Sequence, residues 1–206
     1  YENQAKTQEE TAKDKDMNAQ LTAKLFSYEN LFVAMRTGSI EDVGIIAEYL
    51  EANSTAKDPA ATIRSQVSGE FKQEYLDAVM NGGSADGLKK KLMSLGLTED
   101  DLNGWVKSAR YAELKESVGE GDVADAKQVA KELIDSGADV SDVVSSLNNK
   151  YKSVYIELVN TGRTAEAEKL QKDLESLGLI KKKTGQNYYR KDYMDKWVTD
   201  YNKKNK

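Results

Sequence analysis

Lys181, Lys182, Lys183, Arg190, Lys191, Lys203, Lys204 and Lys206 stand among Tyr188, Tyr189, Tyr193 and Tyr201 at the C-terminal end of the chain. Cationic side chains neutralise phosphates and aromatic faces stack on unpaired bases, so this composition could bind nucleic acid. Contact with about six phosphates would make log affinity fall with log salt at a slope of about −5. Residues 181–206 hold nine Lys or Arg against three Asp, whereas residues 1–180 hold 21 basic against 32 acidic. A basic tail therefore follows an acidic body. The same residues also have a structural reading, in which Tyr193 and Trp197 dock a terminal helix and the last lysines end it in water.

Other reaction chemistry is thin. The 206 residues include no His and no Cys. This removes the commonest general base, the commonest metal ligand, thiolate sites and any disulfide framework. No glycine-rich phosphate loop or nucleophile elbow is present. Paired carboxylates could hydrolyse a glycoside, but nothing singles out a pair. The cluster Glu99-Asp100-Asp101 fits a helix start better than acid–base work. The expectation is no enzymatic activity, no catalytic residue, no metal and no cofactor. No apolar run approaches the ~20 residues needed to span a bilayer, and no signal-peptide pattern opens the chain. The expected location without further information is cytoplasmic, with no membrane contact. A first residue of Tyr suggests a processed or partial chain.

The elements that must position these residues are written twice. Tyr28, Leu31, Met35, Gly38, Ala47 and Leu50 match Tyr111, Leu114, Val118, Gly121, Ala130 and Leu133 at a constant offset of 83. At offset 80, Ile63, Phe71, Lys72, Tyr75, Val79 and Gly82 match Val143, Tyr151, Lys152, Tyr155, Val159 and Gly162. At offset 82, Leu88, Leu92, Leu95, Gly96 and Leu97 match Leu170, Leu174, Leu177, Gly178 and Leu179. At offset 92, Leu102, Trp105 and Val106 match Met194, Trp197 and Val198. The offset changes fall between periodic segments, where loops absorb insertions. The second copy carries ten extra residues near Ile180 to Lys191. Self-similarity of this kind marks a helical repeat.

The chain then reads as follows. Residues 1–26 are polar and free of Gly and Pro, which predicts an exposed helix from near residue 5 to 36. Ser39 with Asp42 resembles a capping box. Pro59 suits the first turn of a helix. Ile63, Val67, Phe71, Tyr75 and Val79 step by four along one face, and Val143, Leu147, Tyr151, Tyr155 and Val159 repeat that spine. Lys72 and Lys152 beside it would lay their stems on a ring with the charge in water. Gly96 and Gly178 fit the position that ends a helix, with Leu97 and Leu179 as its apolar contact. Thr98 with Asp101 restarts a helix, and nothing breaks the chain from there to Val118. The repeat core is therefore expected at Leu31, Phe71, Tyr75 and Trp105, and at Leu114, Tyr151, Tyr155 and Trp197.

Tyr111, Leu114, Gly121 and Asp122, then Tyr151, Lys152 and Tyr155, then Leu177-Gly178-Leu179 and a later Trp, together resemble a helical repeat of virion-linked bacteriophage proteins. There it forms an appendage on head or connector components such as portal-type proteins. Copy one departs from that pattern with Ser39 for Asp122 and Phe71 for Tyr151. The resemblance implies a structural part in a virion and carries no catalytic residues. The resulting expectation is an all-α protein of two tandem repeats with four to five helices each, stacked as a short solenoid or irregular bundle. Residues 1–26 form a polar leader or helix, 27–109 the first repeat, and 110–206 the second with its basic tail. Other protein subunits of an assembly are the expected partners, with DNA at the tail as the alternative.

Overall fold

The protein is all-α. The computed structural model describes residues 19–205 apart from 21, 23 and 24. Its named helices are α1 (Tyr28–Thr37), α2 (Ile40–Ala52), α3 (Pro59–Met80), α4 (Asp86–Ser94), α5 (Glu99–Glu120), α6 (Val123–Asp135), α7 (Val140–Asn160), α8 (Thr164–Ser176) and α9 (Lys191–Lys204). The chain divides into two compact units, Tyr1–Val106 and Lys107–Lys206. The division falls inside α5, which runs unbroken from Glu99 to Glu120.

The expected single helix from residue 5 to 36 needs correction. Residues 1–18 lie outside the described residues. Residues 19, 20, 22 and 25 are helical, but Phe26 and Ser27 turn before α1 begins. Ser27 is an N-cap with extended backbone, and its hydroxyl accepts the Asn30 amide at 3.3 Å. The Asn30 side chain donates back to the Leu25 carbonyl at 2.8 Å. Local side-chain bonds of this kind compete with helix propagation even where no Gly or Pro intervenes.

In the first unit, the core is lined by Leu31 and Met35 of α1, Val43 and Ala47 of α2, Leu92 of α4, Leu102 of α5, and the α3 ladder. Along α3, Ile63, Val67, Phe71 and Tyr75 are buried, as a step of four requires. Burial of each such side chain contributes about 1.5–3 kcal/mol. Asp58 caps α3 by accepting the Ala61 amide at 2.9 Å, with Pro59 in the first turn. The capping box at Ser39 and Asp42 is formed. The α1 C-terminus is held from α4: Lys91 Nζ donates to the Ala34 and Met35 carbonyls at 3.1 and 3.0 Å. Arg36 pairs with Glu70 and Glu74 and lies 4.9 Å over the Phe71 ring.

In the second unit, Leu114 and Val118 of α5, Ala126, Val129, Ala130 and Leu133 of α6, Leu174 of α8, and Met194 and Val198 of α9 surround the α7 ladder. Val143, Leu147, Tyr151 and Tyr155 of that ladder are buried. Asp139 caps α7 by accepting the Ser141 amide at 2.8 Å. The Tyr151 hydroxyl donates to the Lys115 carbonyl, and burial pushes its phenol up to about 12. Tyr155 donates to Asp195 Oδ1 at 2.8 Å. Gly96 and Gly178 both adopt positive φ, at +88° and +70°, as helix-ending glycines do.

Both tryptophans are half-buried rather than enclosed. Trp105 meets Tyr75 edge-on at 6.3 Å between ring centres, and Trp197 meets Tyr155 edge-on at 6.2 Å. Lys72 Nζ lies 5.7 Å above the Trp105 ring and Lys152 Nζ 5.8 Å above that of Trp197. These lysines therefore sit on the indoles and not on the spine rings beside them in sequence.

Candidate nucleic-acid interface

The ten extra residues of the second copy fold as a small hairpin between α8 and α9. Ile180 and Asn187 form an antiparallel bridge. Lys181 N donates to the Gln186 carbonyl at 2.8 Å, and Tyr188 N to that of Leu179 at 2.9 Å. Gly185 turns the tip at φ +65°, a conformation that Gly adopts without steric cost. The base of the hairpin is tied down. Asn187 accepts the Tyr189 amide at 2.8 Å and donates to the Glu175 carbonyl at 2.7 Å. Gln171, itself buried, donates to the Tyr189 carbonyl at 2.8 Å.

Tyr189 is the clearest correction to the expected interface. Its ring is 1% exposed, it meets Trp197 edge-on at 6.2 Å, and its hydroxyl donates to the Val144 carbonyl at 3.2 Å. Burial pushes its phenol well above the ordinary value. A ring so enclosed cannot stack on a base. Tyr188 is half-buried against the same core, and Tyr193 is half-buried with its hydroxyl donating to Gln186 at 2.7 Å.

The basic residues divide into three groups. Arg190 pairs with Asp192 at 3.0 and 3.1 Å, and Lys191 with Asp195 at 3.3 Å, so their charge is met locally. Lys203 and Lys204 are exposed in the last turn of α9, where cations favour the negative helix end. Lys206 lies outside the described residues. Lys181, Lys182 and Lys183 gather on the hairpin. Lys181 Nζ lies 3.4 Å from the centre of the Tyr193 ring and 5.4 Å from that of Tyr188. Lys182 pairs with Asp139 at 3.2 Å. Two bonds from Ser141 and that lysine hold the Asp139 carboxyl well below its ordinary range, at about 2. Lys183 is exposed and makes no ion pair among the described residues.

Sequence reasoning missed the counter-charges. Lys191 and Asp195 stand four apart on a helix, a spacing that signals a pair. Asp139 is 43 residues from Lys182, and only the fold joins them.

Two acids of the Glu99-Asp100-Asp101 cluster make local contacts. Asp101 accepts the Thr98 hydroxyl at 2.7 Å and the Thr98 amide at 2.8 Å, and the two bonds lower its pKa in that order. Glu99 pairs with Lys89, which lowers its pKa. Among the described residues no three or more His, Cys, Asp or Glu side chains are grouped to hold a metal ion, and no helix is long and apolar enough to cross a membrane. A cavity of about 590 Å³ lies along α7, with Asn148, Lys152, Ile156, Thr161 and Tyr201 in its lining and Glu157 as its one acid. Comparison of the chain with family models, curated proteins and solved structures finds no match.

Proposed function

We propose that the chain is a non-enzymatic structural module built from two copies of one helical unit, and that it works by presenting helix faces to other protein subunits. The observation that carries this reading is the cluster made by Tyr75, Trp105 and Lys72 and again by Tyr155, Trp197 and Lys152, at ring separations of 6.3 and 6.2 Å. Independent sequences would have no reason to close the spine with the same three side chains in the same geometry. The boundary of the two copies at residues 109 and 110 lies within one helical turn of the division after Val106.

The resemblance to virion-linked repeats supplies the assembly: the module belongs to a bacteriophage particle, on a head or connector component. Quantitative mass spectrometry of purified particles from the source tests this. Recovery at a fixed ratio to the other virion proteins is the expected result. Absence from intact particles, with the chain found free in the infected cell, would overturn the virion reading.

A further inference from the structure

Beneath the hairpin lies a cleft of about 420 Å³. Val140, Ile180 and Tyr188 supply its apolar lining, and Lys181, Lys182 and Lys183 its cationic lining. Asp139 is the one carboxylate in the lining and binds Lys182. Two positive charges are thus left without a carboxylate among the described residues. The hairpin is anchored by the enclosed Tyr189 and by bonds from Asn187 and Gln171. The lysines are therefore carried on a braced platform, and less ordering is needed on binding. Ile180 is 42% exposed although it borders this cleft.

We propose that this cleft is a short binding site for single-stranded nucleic acid, with a base against Tyr188 and Ile180 and the flanking phosphates on Lys181 and Lys183, which face no carboxylate among the described residues, and on Lys182 in exchange for its single exposed contact with Asp139. The charge pattern selects a polyanion, and the apolar side distinguishes a nucleotide from a bare phosphate. A duplex would need a longer cationic track. Arg190 and Lys191, which would extend one, are neutralised by Asp192 and Asp195. The inference goes beyond the structural-module reading and does not depend on it. It shrinks the interface expected from the sequence to three cations. Contact with about three phosphates of a single strand gives a log–log salt slope of about −2, in place of about −5.

The test is fluorescence anisotropy of the full chain with labelled oligothymidylate over a salt series, beside a length-matched duplex and with polyphosphate and polyglutamate as competitors. The oligonucleotide should bind at low salt with a slope of about −2. Joint Lys182→Glu and Lys183→Glu substitution should weaken binding by about tenfold or more, since it removes the contacts and repels phosphate. Joint Lys203→Glu and Lys204→Glu substitution should change it by less than about twofold. Tyr188→Phe should retain binding and Tyr188→Ala should weaken it. Circular dichroism identifies loss of fold in the Tyr188→Ala chain, and the exposed lysine variants decide the matter if that chain unfolds. Undiminished binding by the Lys182 and Lys183 variant, or preference for the duplex, would overturn the proposal. So would equal displacement by polyglutamate, which indicates an acidic protein partner, or by polyphosphate, which indicates a phosphate site without a base.

Discussion

Among the described residues, Trp197 meets two tyrosine rings where Trp105 meets one. In the first unit α4 passes through Leu97 and Thr98 directly into α5, and Tyr75 is the aromatic ring paired with Trp105. In the second unit the hairpin intervenes before α9, and it brings Tyr189 against Trp197 as a second ring beside Tyr155. The insertion carries a core residue, whose carbonyl accepts a bond from the buried Gln171 of α8, and an asparagine that fixes its turn. Extra chain between two helices has become a buttress for the closing helix, with its lysines displayed on the outside. The comparison teaches that an insertion read as a charged tail can have an apolar structural root.

The largest effect should come from removing that root. Tyr189→Ala should destabilise the second unit by about 3–5 kcal/mol, the range for deleting an enclosed aromatic side chain. Tyr189→Phe removes only the bond to the Val144 carbonyl and should cost about 1 kcal/mol. Denaturant unfolding followed by Trp197 fluorescence in a chain carrying Trp105→Phe checks both. A loss below about 1 kcal/mol for Tyr189→Ala would mean that the hairpin is an ornament on a core that closes without it.

Trp197→Ala should then cost more than Trp105→Ala. Each indole is half-buried, so both losses should sit at or below the low end of about 3–5 kcal/mol. The difference should be about 0.5–1.5 kcal/mol, the contribution of one additional aromatic pair. Equal losses in chemical unfolding would show that Tyr189 fills space beside Trp197 without a pair interaction.

The spine and its ends were legible because they depend on local periodicity. A step of four over Ile63, Val67, Phe71 and Tyr75 can only be one helix face, and positive φ at Gly96 and Gly178 follows from where each leucine stripe stops. Tyr189 was not legible. Its immediate neighbours are Tyr188 and Arg190, and its burial depends on Val144, 45 residues away. The one local signal was Asn187, two residues before it, whose side chain makes a turn of a kind short polar residues favour. The break before α1 was written in Ser27 and Asn30, but absence of Gly and Pro concealed it. The candidate interface was legible as a charge excess and illegible as a surface, because Asp139, Asp192 and Asp195 decide which cations remain unmatched.

Gly38 and Gly121 align, yet they are required for different reasons. Gly121 ends α5 at φ +77°, with Asp122 N donating to the Ser117 carbonyl at 2.9 Å. This is the helix-ending bond of a left-handed glycine. Gly38 has φ −84°, but a Cβ there would lie 3.0 Å from Ala34 Cα and 3.1 Å from its carbonyl oxygen. Ala at either position should destabilise, by about 1–2 kcal/mol at Gly121 from the backbone alone. Asn separates the two causes, since it tolerates the left-handed region. Gly121→Asn should be milder than Gly121→Ala, whereas Gly38→Asn should be no better than Gly38→Ala. Thermal unfolding of the four variants measures this, and rescue by Asn at both positions would dissolve the distinction.

The smallest effect separates the caps of the two spine helices. Asp58 caps α3 through the Ala61 amide, whereas Asp139 caps α7 through Ser141 and also receives Lys182 from the hairpin. The bond from the Ser141 amide is the leading cause of the low Asp139 pKa, followed by the Ser141 hydroxyl and Lys182. A carboxyl whose folded pKa lies below its unfolded value stabilises the fold above the unfolded value, and that contribution disappears as pH falls through the folded one. For Asp139 the window runs from 3.8 down to about 2. Carboxyl-detected nuclear magnetic resonance should place its midpoint near about 2. Lys182→Gln should raise that midpoint part of the way toward 3.8 and no further, because the Ser141 bonds remain. A midpoint already at 3.8 in the unaltered chain would detach Asp139 from the α7 amide and leave all three hairpin lysines without a counter-charge.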